Sequence, residues 1–100
     1  MNNQFEQVVA EFNEKAQKLF FLTYERFHTS TRRLDRKKDE NVFQQQLGKY
    51  LYDLKLQLEN IASELLHKYK SLVNINRYNS VLNDRIKEYL NEFRQKSGSH

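Results

Sequence analysis

A chain of 100 residues with no proline, and with glycine only at positions 48 and 98, has almost none of the residues that build tight turns and sheet corners. Val, Ile and Thr never alternate over a useful run, whereas Leu, Lys, Glu, Gln and Arg, which lose little rotamer freedom in a helix, are abundant. The fold class expected is therefore all-α. At this length one domain with one core is expected.

The strongest periodicity lies between Asn41 and Val73. Leu47, Leu51, Leu54, Leu58, Ile61 and Leu65 recur at alternating spacings of four and three residues, the seam of a long packed helix. Phe43, Tyr50, Ala62 and Tyr69 widen that seam to the face of a core-facing bundle helix. Asp39 or Asn41 is the expected cap. Gly48 sits inside the helix beside the seam, where a missing side chain suggests a close approach by a neighbouring backbone.

A first helix is expected from Asn3 to about Phe27, with Asn2 or Asn3 as cap and Asn3 with Glu6 as a capping box. Phe5, Val8, Val9, Phe12, Ala16, Leu19, Phe20 and Phe27 share one stripe and form its core face. Phe21 lies roughly 160° from that stripe on a helical wheel, with Leu22 and Tyr24 on its flanks. Tyr52 and Leu56 of the second helix likewise point away from the seam. These five residues form a surplus apolar surface, the candidate protein-interaction site.

Thr29 to Glu40 breaks the apolar period and reads as the loop, with Arg32, Arg33, Arg36, Lys37 and Lys38 as candidate phosphate ligands. Asn74, Asn76, Asn79 and Ser80 mark a second turn, with Asn79 or Ser80 capping a third helix over residues 80–95. The predicted architecture is an antiparallel three-helix bundle over residues 1–96, with Ser97 to His100 as a disordered tail of linker composition. An alternative keeps the helix continuous from Asn41 to Arg94, because Leu72, Ile75, Tyr78, Leu82, Ile86, Tyr89 and Phe93 hold the same phase. In that version, two long helices, the second is roughly 80 Å long and cannot be covered by the first alone, so a dimeric bundle or coiled coil is expected.

Charge and motifs narrow the function classes. The net charge of +4 divides as −1 over residues 1–27, +2 over 28–40, +1 over 41–73 and +2 over 74–100. Thirteen acidic residues interspersed among seventeen basic ones make no continuous phosphate-binding stripe. Arg77, Arg85, Lys87, Arg94 and Lys96 are interrupted by Asp84, Glu88 and Glu92, which disfavours a DNA-recognition helix there. With no cysteine, disulfide frameworks, thiolate metal sites and cysteine nucleophiles are excluded, and a cytoplasmic location is expected. No apolar run reaches the length of a membrane span, and no signal-peptide pattern opens the chain.

Glu64 and His67 have the Glu-x-x-His spacing of di-iron bundles, but the second such pair and the further carboxylates are missing, so no metal and no cofactor is expected. Without a Gly-x-Ser-x-Gly turn or a glycine-rich phosphate loop, no enzyme chemistry is expected either. The reading is a non-catalytic interaction module, an adaptor, chaperone or scaffold, that forms a homodimer and binds a protein partner through Phe21, Leu22, Tyr24, Tyr52 and Leu56. The alternative is an accessory nucleic-acid binder using residues 32–38.

Overall fold

The computed structural model describes residues 3–35, 37–71 and 73–98, with Asn3 described for its backbone. Three helices account for most of them: α1 (Asn3–Thr31), α2 (Glu40–Tyr69) and α3 (Ile75–Gly98). No strand is present among the described residues. Phe27, near the end of α1, meets Phe43 and Tyr50 near the start of α2, while Tyr69 at the far end of α2 reaches back to Glu11, so α1 and α2 run antiparallel. Contacts of Phe5 with Arg77, Asn13 with Tyr89 and Tyr24 with Lys96 place α3 alongside α1 in the same direction. The product is the antiparallel three-helix bundle, an elongated body of 54 × 20 × 19 Å.

Each helix contributes one stripe to a continuous core. Val8, Phe12, Ala16, Phe20 and Phe27 come from α1, Phe43, Leu47, Leu54, Leu58 and Leu65 from α2, and Tyr78, Leu82, Ile86 and Phe93 from α3. The spacings of three and four put these residues on single faces, and burying those faces supplies most of the driving force for folding. Aromatic rings concentrate at one end, where Phe93 packs 5.6 Å from each of Phe20, Tyr24 and Phe27. The continuous helix from Asn41 to Arg94 is not formed, because α2 ends at Tyr69 and the chain turns before Ile75.

The element ends differ from the sequence reading for identifiable reasons. Helix α1 continues past Phe27 to Thr31 because the Ser30 and Thr31 hydroxyls both donate to the Phe27 carbonyl, at 3.0 and 2.9 Å, which accommodates the hydroxyl run within the helix. The first connection is thus shorter than Thr29 to Glu40. The second turn comes earlier than expected, since Asn74 Oδ1 accepts from the Arg77 backbone N–H at 3.0 Å and takes the capping role given to Asn79 or Ser80. Those two residues lie inside α3 on its exposed side. Ser97 and Gly98, read as tail, belong to the last turn of α3, where Ser97 is buried and its hydroxyl donates to the Phe93 carbonyl at 2.7 Å. Met1, Asn2, Arg36, Leu72, Ser99 and His100 lie outside the described residues, as does the side chain of Asn3, and with them the capping-box reading.

Asp39 occupies the N-cap position of α2 but makes no side-chain cap bond there; its Oδ2 instead accepts from the Asp35 backbone N–H at 3.0 Å. Gly48 has no close neighbour, for a Cβ built on it meets nothing within 4 Å. The expected close approach of a second backbone is absent, and the glycine is a plain helix weakness. Gly48→Ala should therefore raise stability by about 0.5–1 kcal/mol in a urea melt.

Candidate interaction surfaces

The core closes without four of the five apolar residues singled out from the sequence. Phe21 is 63% exposed, Leu22 53%, Tyr52 60% and Leu56 40%, and none belongs to the buried core cluster. Phe21 and Leu22 sit side by side on the outer face of α1, opposite the line of Ala16, Phe20 and Phe27. Tyr52 and Leu56 lie one turn apart on the outer face of α2. The structure therefore holds two separate apolar pairs, one per helix.

Tyr24 departs from that grouping. Its ring stacks on Phe20 with planes 3° apart, meets Phe93 edge-on at 5.6 Å, and lies near Phe27 and His28. Its hydroxyl donates to the Lys96 carbonyl at 3.5 Å, and the Lys96 ammonium stands 5.3 Å above the ring. A residue at the border of a helix's core stripe joins the core when the neighbouring helix carries rings long enough to reach it, and Phe93 does so here. Tyr24 is a seam residue between α1 and α3.

The basic connection has an internal frame. Asp35 Oδ1 accepts from the backbone N–H groups of Lys37 and Lys38 at 2.9 and 3.4 Å, and Asp39 Oδ2 accepts from that of Asp35. These turn bonds hold both carboxylates against the backbone. The side chains of Arg32, Arg33, Lys37 and Lys38 are exposed around them, while Arg36 lies outside the described residues.

Two features have no counterpart in the sequence reading. Between α1 and α3, Phe5, Val9, Ala10 and Val81 line a shallow groove of about 450 Å³ rimmed by Arg77 and Arg85. The Arg77 guanidinium covers Phe5 at 4.3 Å, a cation–π contact that shields this part of the groove. At the other seam, Glu11 Oε1 accepts from the Tyr69 hydroxyl at 3.2 Å and lies 3.6 Å from Lys68 Nζ, while its Oε2 is buried without a hydrogen-bond partner. The Lys68 ammonium is held above its ordinary pKa by its bond with Tyr69 and then by the charge of Glu11. Both features join residues distant in sequence, so only packing brings them together.

Glu64 and His67 are exposed on α2. Among the described residues no group of three or more His, Asp or Glu side chains is clustered as metal ligands would be. Nor is any described helix long and apolar enough to cross a membrane. Compared with known proteins, the chain matches no family model, no curated protein and no solved structure.

Proposed function

We propose that this chain is a non-catalytic helical interaction module of the cytoplasm that self-associates and receives a segment of a partner protein. The observation that carries this reading is the exposure of Phe21, Leu22, Tyr52 and Leu56 around a core that is complete without them. Isolated exposed apolar residues are ordinary, whereas adjacent large ones on successive helices form patches of the kind that mark contact sites. Burying a Phe or Leu side chain contributes about 1.5–3 kcal/mol. Four such side chains, two from each copy, exceed the cost of association only modestly, so the self-association expected is weak. Light scattering coupled to size exclusion should find a concentration-dependent dimer, and Phe21→Glu should be monomeric with an unchanged circular dichroism melt. A wild type that stays monomeric at several hundred micromolar removes self-association from this reading.

The second reading, an accessory nucleic-acid binder, is favoured by the way Asp35 and Asp39 spend their carboxylates on backbone N–H groups among exposed Arg32, Arg33, Lys37 and Lys38. If that connection grips phosphates, affinity for duplex DNA should fall steeply with added salt, and Arg33→Glu with Lys37→Glu should abolish it. Absence of binding at low salt eliminates this reading.

A further inference from the structure

We infer that the outer face of α1 pairs with a second copy of itself in antiparallel orientation, with Phe21 of each copy against Leu22 of the other and Lys18 against Glu25. The inference rests on the self-association reading and specifies its geometry. Lys18, Phe21, Leu22 and Glu25 stand at i, i+3, i+4 and i+7, the four-residue patch through which two helices cross, and all four are exposed. The apolar pair fills the centre of the patch and the two opposite charges stand at its ends.

That charge order selects the orientation. A twofold axis through the centre of the patch, perpendicular to the helix, sets residue 21 level with residue 22 of the second copy and residue 18 level with its residue 25. Each copy's Lys18 then faces a Glu25, twice per dimer, and Glu14 comes opposite the neutral Thr29. A parallel twofold pairing would set Lys18 against Lys18 and Glu25 against Glu25, placing like charges at both ends of the contact. Within one chain Lys18 Nζ lies 3.8 Å from Glu14 Oε1, with both side chains more than 70% exposed. So exposed a pair is weakly held, and Lys18 can exchange it for the partially desolvated Glu25 of the second copy. The outer face of α2 carries a like order, Lys49, Tyr52, Leu56 and Glu59, but Lys49 lies over the Tyr50 ring at 5.8 Å and Leu56 is 40% exposed against 63% and 53% for Phe21 and Leu22, so the face of α1 offers the more open apolar pair.

The chain contains no cysteine, so single introduced thiols report the geometry directly. Lys18→Cys and Glu25→Cys, purified separately as full-length protein and mixed under mild oxidation, should give the mixed disulfide at least about tenfold faster than either variant links to itself. In the antiparallel pair the two copies of residue 18 are separated by seven residues of helix, roughly 10 Å, too far for a disulfide. Lys18→Glu alone should weaken the dimer at least about tenfold, and Lys18→Glu with Glu25→Lys should restore it to within about twofold. Self-linking of each variant as fast as the mixture, or failure of the double reversal to restore the dimer, would overturn the antiparallel pairing while leaving self-association intact. A wild type monomeric by light scattering overturns the underlying reading itself.

Discussion

Phe93→Ala should cost about 3–5 kcal/mol, the largest loss expected from any single truncation in this bundle. Phe93 is wholly buried, and its ring is the point at which α3 meets Phe20, Tyr24 and Phe27 of α1, each at 5.6 Å. Removing it leaves a cavity between helices, because those three rings are themselves fixed by other partners: Phe27 by Phe43 and Tyr50 of α2, Phe20 by Tyr89, and Tyr24 by the Lys96 carbonyl. Aromatic pairs add about 0.5–1.5 kcal/mol beyond their area, so loss of several places this variant toward the upper part of the range. A domain of this size has a total stability of roughly 5–15 kcal/mol, and the variant should lose a large share of its cooperative melt. Phe93→Leu, which keeps most of the volume, separates the cavity from the ring contacts. Phe21→Ala on the exposed face provides the contrast, expected to change the stability of the monomer by no more than about 0.5 kcal/mol. A loss below about 1 kcal/mol for Phe93→Ala would mean that α3 is not docked through this ring.

The pattern of apolar residues disclosed the core because helix periodicity and burial are the same fact seen twice. Leu47, Leu54, Leu58 and Leu65 are buried as their spacing requires, and so are Val8, Phe12, Ala16, Phe20 and Phe27. The helix ends were less legible, since the cap could be any of several Asn and Ser residues with the same chemistry. Asn74 caps α3 while Asn79 and Ser80 lie within it. The hydroxyls of Ser30 and Thr31 could equally have broken α1 or, as they do, bonded back to the Phe27 carbonyl and extended it. Tyr24 shows the limit of the helical wheel, which gives a direction but not the reach of the ring on the facing helix. For the candidate surfaces, a single sequence gives the direction of Phe21, Leu22, Tyr52 and Leu56 from their helix axes. A helical wheel gives no more than that direction, because what a face meets beyond its own chain is not written in the spacing of that chain's residues.

Raising the pH should weaken the bundle between about pH 10 and 12 through Tyr78. The residue is 1% exposed between α2 and α3, and its hydroxyl donates to the Ala62 carbonyl, both residues lining a groove with Ser63, Asn79 and Asn83. Burial pushes the phenol up to about 12, because the phenolate would lose the water that solvates it in the unfolded chain. In the unfolded chain the same group ionises near its ordinary value of about 10. Between these values the native state holds a proton that the unfolded state has released, so stability falls as pH rises. The contribution is fully present below about pH 10 and is lost through about pH 12. Tyr89, also raised by burial, acts in the same direction. Tyr78→Phe keeps the ring and removes the ionising group, at a cost of about 1 kcal/mol near neutrality for the lost hydrogen bond. Urea midpoints measured at pH 8, 10 and 11 should therefore start lower for the variant and converge on the wild type as the pH rises. Parallel curves, with the gap unchanged at pH 11, would show that the hydroxyl is solvated in the folded chain and that the seam between α2 and α3 is open at Tyr78.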